Sequence, residues 1–197
     1  MTGSETISNA SEVGGTIRKA NLTDSEESLL KAVAGNYYFV LDVELDDLET
    51  EWVNFNVEYY YKGQKERNFL TISSLIEADS KNNRIIFNCN FNTSKQKEYW
   101  NAAFLNDISI ISGNDEGDLP FSGGFSSTQM TTPEQQFKMN EEILIAVIVG
   151  KDMESEVSSI GIDKDIFLNK EALEEFIELN QHVYLMKCEF KENIQSK

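Results

Sequence analysis

Trp52-Val53-Asn54-Phe55-Asn56-Val57-Glu58-Tyr59-Tyr60-Tyr61-Lys62-Gly63 is the stretch that decides the fold. Apolar residues fall at every second position. A period of two places Val53, Phe55, Val57, Tyr59 and Tyr61 on one side of an extended strand. Trp52, Asn54, Asn56, Glu58 and Tyr60 then share the other side. Lys62-Gly63 supplies a turn, and Phe69–Ser73 reads as the returning strand of a hairpin.

The same period recurs on both sides of this hairpin. Tyr37, Phe39, Leu41, Val43 and Leu45 alternate with Tyr38, Val40, Asp42 and Glu44, and Asp46-Asp47 reads as the turn that follows. Arg84–Phe91 places Ile85, Phe87, Cys89 and Phe91 on one face. Tyr99–Ile111 reads as strand, with a possible break at Asn106-Asp107. Glu142–Gly150 is the most apolar strand and reads as central, and His182–Phe190 is the last. Ser112–Asp118 reads as a turn-rich loop, and Ser122–Gln129 as loop or edge strand. Thr132-Pro133-Glu134-Gln135 can open one helical turn, since proline suits the first helical position.

Two helices are expected. Thr23 and Glu26 form a capping box, after which Leu29, Leu30, Val33 and Ala34 make an apolar stripe over residues 24–34, with Gly35 as the stop. Asn169–Leu179 carries Leu173, Phe176 and Ile177 at helical spacing. Strands that are not separated by regular helices disfavour a doubly wound sheet. The expectation is a mainly β protein: an antiparallel β-sandwich of about seven to nine strands, with a short N-terminal helix and a C-terminal helix before the last strand. Residues 1–21, rich in Ser, Thr, Gly and Asn, read as a flexible polar tail or tether, and residues 22–197 as one sandwich domain.

Composition narrows the function. The 197 residues carry 34 acidic and 17 basic side chains, a net charge of −17. Such a charge repels phosphate, so direct nucleic-acid binding and docking on an anionic membrane are disfavoured, whereas a basic partner is compatible. The longest apolar run, Ile143–Val149, is far short of the about 18 residues of a membrane-spanning helix. No basic segment followed by an apolar one opens the chain, so the sequence shows no signal peptide.

Groups for chemistry are scarce. His182 is the single histidine, and Cys89 and Cys188 are the only cysteines. Spaced Cys and His zinc ligands, a phosphate-cradling glycine loop and a nucleophile elbow are all missing. On one extended strand His182 and Cys188 would lie ~20 Å apart, too far for a nucleophile pair. The cysteines read as small buried hydrophobes, with a disulfide open if the protein is exported. Asp42, Glu44, Asp46, Asp47 and Glu49 cluster at a strand end, Asn114, Asp115, Glu116 and Asp118 in one loop, and Asp163 with Asp165 in a third place. The pattern lacks the alternation and terminal glutamate of an EF-hand, so no metal and no cofactor are expected.

That leaves binding. Trp52, Asn54, Asn56, Glu58 and Tyr60 are the expected partner-contact residues, because a tryptophan and a tyrosine on a polar strand face can anchor a protein or stack on a sugar. The capped helix with Leu29-Leu30, the runs Tyr37–Val43, Trp52–Phe55 and Tyr59–Gln64, and His182–Lys187 resemble uncharacterised β-rich proteins of Gram-positive bacteria, many of them lipid-anchored surface proteins. The resemblance implies a surface location behind a tether such as residues 1–20, although the lipid-bearing cysteine is missing near the start. It implies no activity. Two readings follow: a non-catalytic binding module, exported or on the bacterial surface if a signal segment has been removed and otherwise cytoplasmic, or an intracellular acidic inhibitor of phage type that mimics nucleic acid and blocks a basic groove.

Overall fold

The computed structural model describes residues 13–34, 37–46, 50–76, 80, 82–129, 134–154 and 162–192. Strands are β1 (Val13–Lys19), β2 (Tyr38–Leu45), β3 (Thr50–Tyr61), β4 (Gln64–Leu75), β5 (Asn83–Asn92), β6 (Lys97–Leu105), β7 (Ile110–Asp118), β8 (Phe125–Gln129), β9 (Gln135–Lys138), β10 (Glu142–Gly150) and β11 (His182–Glu192). Helix α1 (Asp24–Ala34) follows β1. A 3-10 turn (Lys164–Phe167) and helix α2 (Lys170–Leu179) precede β11. One sheet, A, has the order β7-β6-β5-β2-β1-β9, and the other, B, the order β4-β3-β11-β10-β8. Every described pairing is antiparallel.

The inner faces meet through aromatic side chains. Phe55 of β3 stands edge-on to Phe87 of β5 at 5.6 Å, Trp100 of β6 lies 5.0 Å from Tyr184 of β11, and Phe137 of β9 stacks on Phe190 of β11 at 4.5 Å. Rings of this size bury large apolar areas and supply most of the drive to stack the sheets. Cys89 and Cys188 lie in this core as free, buried thiols, each pushed up by burial away from the reactive thiolate. β10 is interior to its sheet, but β11 occupies the middle.

The eleven strands among the described residues exceed the seven to nine expected, and the excess lies where alternation is weak. Residues 13–19, read as part of a tail, form β1 between β2 and β9. Ile17 is its inward anchor and Arg18 pairs with Glu44 at 2.7 Å. Gly15 adopts φ +153°, and a Cβ there would sit 2.2 Å from the Glu44 carbonyl oxygen. The flexible-looking glycine is thus a requirement for close strand approach. Residues 1–12 of the expected tether, Gly35, Asp47 and Thr132-Pro133 lie outside the described residues. Gln135, read in a helical turn, belongs to β9.

The loop expected at Ser112–Asp118 is strand β7. Gly113, Asp115 and Gly117 point inward while Ser112, Asn114, Glu116 and Asp118 point out, so the acidic cluster is divided between two faces. A Cβ on Gly113 would come within 2.4 Å of Ile72 Cδ1. The missing side chain lets β4 of sheet B close onto β7 of sheet A, where Leu70 N–H donates to Asp115 Oδ2 at 3.1 Å. One side of the sandwich is therefore shut like a barrel.

The helices sit on opposite outer faces. Thr23 N–H donates to Glu26 at 2.7 Å and Glu26 N–H to Thr23 Oγ1 at 3.3 Å, which is the expected capping box. Glu26 also reaches Arg84 of β5 at 3.4 Å, which holds α1 over sheet A. The apolar stripe is not buried as a unit: Ala34 is, whereas Leu29 and Val33 are exposed. On sheet B, Val147, Val183 and Leu185 face outward and are nevertheless buried. Ile166, Phe167, Phe176 and Ile177 belong to the same apolar cluster, so the 3-10 turn and α2 form the third layer over this half of the sheet. Asn169 caps α2 by accepting from Glu171 N–H at 2.9 Å.

Gly113→Val should destabilise the fold by about 1–3 kcal/mol through overpacking against Ile72. In urea unfolding, Ile72→Ala in the same chain should recover part of that loss. Strictly additive losses would show that the two positions do not touch.

Candidate interaction face

The half of sheet B that α2 leaves uncovered is built from three strands. β3 contributes Trp52, Asn54, Asn56, Glu58 and Tyr60, and the structure places all five on this outer face. β11 brings Lys191, Glu189 and Lys187 opposite Trp52, Asn54 and Asn56. β4 brings Leu75 and Ser73 opposite Trp52 and Asn54, and Lys65 opposite Tyr60. Bulges between Phe55 and Val57 and between Tyr59 and Tyr60 set that register, so Lys65 could not be placed by counting residues from the turn.

Glu58 is the hub. Although its strand face is the solvent side, only 6% of its side chain is exposed. It accepts from Lys187 at 2.8 Å, from Lys65, and from the Tyr60 hydroxyl at 2.9 Å. Burial works against its charge, but the Lys187 and Lys65 hydrogen bonds outweigh burial and hold the carboxyl below its ordinary value. Burial likewise opposes the Lys187 charge and is outweighed by Glu58 and Glu142, which raise it. Burial, then the bond to Glu58, pushes the Tyr60 hydroxyl upward, so it remains a neutral donor.

The network extends outward. Lys187 also meets Glu142 at 3.0 Å, Asn56 donates to Glu142 at 3.2 Å, and Lys191 pairs with Glu189 at 3.0 Å. Ser73 donates to Asn54, which donates to Glu189. Three glutamates thus face three lysines on a chain whose net charge is −17. At the end remote from α2, Trp52 and Leu75 lie side by side, 41% and 49% exposed. Of the two expected aromatic contacts, Trp52 is open to a partner while Tyr60 is half-buried and tied to Glu58.

A second polar cluster lies in the core, built around His182. Its Nδ1 is 2.8 Å from the Tyr59 hydroxyl, and its Nε2 is 3.4 Å from Asp152 Oδ2. Burial lowers the imidazole and Asp152 partly offsets this. Asp152 itself accepts from Ser122 N–H and Gln181. Deeper, the fully buried Glu98 of β6 accepts from the Tyr184 hydroxyl at 2.6 Å and from the Arg67 guanidinium. Burial raises this carboxyl, and Tyr184 and Arg67 oppose the rise. The signal that could have found Glu98 is parity: it shares the even positions of Trp100, Ala102 and Phe104. Among the described residues no group of three or more His, Cys, Asp or Glu is placed to hold a metal ion.

The pH dependence of the face follows from the two shifts. Glu58 is depressed in the folded state, so its contribution is present above its ordinary value of 4.5 and lost as pH falls through the folded value. Lys187 is raised, so its contribution is present below 10.5 and lost as pH rises through its folded value. Glu58→Gln should cost about 2 kcal/mol at neutral pH, between the values for exposed and buried pairs. It should also flatten the acid limb of a stability–pH profile. A variant that kept the wild-type acid limb would remove Glu58 from this role.

Neither the curated proteins nor the solved structures contain a match to this chain. A family of domains does match, over residues 16–190, which run from within β1 to the penultimate stretch of β11 and so take in both sheets and both helices. With that span the chain belongs to the YgaN domain family.

Proposed function

We propose that this chain is a non-catalytic interaction module that holds a protein or glycan partner on the open half of sheet B, in an exported or bacterial cell-surface setting. The observation that carries the reading is the Trp52–Leu75 pair. Two large apolar side chains stand exposed and in register beside a face whose charges already neutralise one another. A partner that covers this face strands no unpaired charge, and an exposed tryptophan is a frequent binding anchor. Lys191, Glu189, Asn54 and Ser73 form the polar margin beside it. The surface setting rests on the resemblance to surface proteins.

The cysteines and the histidine support the non-catalytic part. Both thiols are buried and held protonated, and His182 is spent on Tyr59 and Asp152 inside the core. The acidic-inhibitor reading draws on the exposed Glu171, Glu174, Glu175 and Glu178 of α2. Against it stand the carboxylates of the sheet faces, which are largely partnered: Asp42 by Arg84, Glu44 by Arg18, Asp118 by Lys97. A phosphate mimic needs its acids unpaired along one face.

Capture from lysate and from cell-envelope extract, at low and high salt, tests this. Wild type should retain an envelope protein or glycan at high salt, and Trp52→Ala should lose at least nine-tenths of it with an unchanged thermal midpoint, on the order of a hot-spot loss. Trp52 and the buried Trp100 are the only tryptophans, so iodide quenching reports Trp52 alone and should fall when the partner binds. Capture indifferent to Trp52→Ala would overturn the reading. Retention only of a basic nucleic-acid-handling protein, released at high salt, would favour the inhibitor.

A further inference from the structure

The outer face of sheet A carries a second uncovered surface, independent of the Trp52 face. Register places Arg84, Leu105 and Ile110 in one row across β5, β6 and β7, and Ile86, Ala103 and Ser112 in the next. Helix α1 lies over β2 and β5: Glu26 pairs with Arg84, while Glu27 and Lys31 line a cleft of about 440 Å³ with Lys19 and Ala20 on one side and Tyr38 and Val40 beneath. The flank bearing Glu27 and Lys31 therefore faces β1. At 3.6 residues per turn, Leu29 and Val33 sit roughly 200° around the helix from them. They point away from β1, toward the β6–β7 side of the sheet.

This makes an L-shaped groove with an apolar wall and a floor that is apolar at Leu105, Ile110, Ile86 and Ala103 and passes to Asn88, Asn101 and Asn114 in the next row. Leu29 and Val33 are 65% and 79% exposed, and Ile110 on the floor is 70% exposed. Ile108, at the turn that closes the groove, is exposed as well. Together they are four of the nine exposed large hydrophobic residues described.

Its width argues for the shape of the occupant. Strands are about 4.8 Å apart, so the line between β6 and β7 lies about 9.6 Å from the line between β2 and β5 that α1 covers. Packed helices stand about 8–10 Å apart. The vacant floor is one helix wide. The charge argues for the occupant's chemistry. The chain is at −17, and Glu116 stands on the outer face of β7 at the edge of the groove. Its one guanidinium, Arg84, is already held between Asp42 and Glu26. A second copy at −17 would be repelled.

We propose that this groove docks a cationic amphipathic helix of a partner protein, with its apolar stripe against Leu29, Val33, Leu105 and Ile110 and its lysines or arginines toward Glu116.

The probe is a synthetic amphipathic helix of leucine and lysine, compared with a peptide of the same charge in which serine replaces leucine. Titrated into the full ¹⁵N-labelled chain, the leucine peptide should bind at least tenfold more tightly. Its shifts should gather on α1, β6 and β7. Leu29→Ser combined with Ile110→Ser should lower that affinity at least tenfold and leave the thermal midpoint in place, because both side chains are exposed; Trp52→Ala should leave it unchanged. Equal binding of the two peptides, shifts centred on sheet B, or an unaffected double variant would overturn the proposal. So would a wild-type dimer in sedimentation that Leu29→Ser disperses, since the groove would then serve a second copy.

Discussion

The fully buried carboxylate of Glu98 is the constraint on which the closure of this sandwich depends. An ionised group without water is costly unless its oxygens are filled. Here one oxygen takes the Tyr184 hydroxyl from the middle strand of sheet B and the other takes Arg67 from the edge strand of the same sheet. One side chain of sheet A thereby ties down both the centre and the edge of the opposing sheet. Arg67 must lie over the core to do so, and it is stacked at 4.0 Å above Phe69. That position needs β4 to bend towards β7, which Gly113 and the Leu70–Asp115 contact permit. The barrel-like closure on this side and the polar core are one arrangement.

Closure on one side decides what remains open elsewhere. Once β4 meets β7, each sheet has an inner face filled with aromatics and an outer face wider than one helix can cover. α2 with the 3-10 turn takes half of sheet B, and α1 takes the β2–β5 part of sheet A. The uncovered halves differ in kind. That of sheet B is a lattice of paired charges ending in Trp52 and Leu75, while that of sheet A is a largely uncharged floor, apolar at Leu105 and Ile110, beside an apolar helix flank. The first suits a partner that covers ready-made polar pairs; the second suits an element that supplies the missing helix.

How much of this was legible depended on side-chain size. β3, β5 and β11 carry bulky residues at period two, and their faces could be read directly, whereas β10, apolar throughout Ile143–Val149, was legible only as an interior strand. Both helices announced themselves through spacing and, for α1, the Thr23–Glu26 box. β1 and β7 could not be read this way, because their inward positions are held by glycines and by Asp115, whose composition is that of a turn. Parity alone set Trp52, Asn54, Asn56, Glu58 and Tyr60 on one face. It could not show that Glu58 is buried there, because Lys65 and Lys187 arrive from strands whose register is fixed by bulges and by pairing far along the chain. Leu29 and Val33 misled in the opposite sense: an apolar stripe on a helix says that a surface wants cover, and not that this chain provides it.

The net charge takes its meaning from this geometry. Lysines and arginines are half as numerous as the acids, and many of them are used locally: Lys65 and Lys187 on Glu58, Lys191 on Glu189, Arg18 on Glu44, Arg84 on Asp42, Arg67 on Glu98. The excess acids are left at the margins, on α2 and along the outer edge of β7. A field of that form is felt at long range as uniformly negative and at contact as neutral and partly apolar. It draws cationic partners toward the molecule without choosing between them. Selection is left to the two apolar surfaces, where Trp52 with Leu75 and Leu29 with Val33 and Ile110 ask for different shapes.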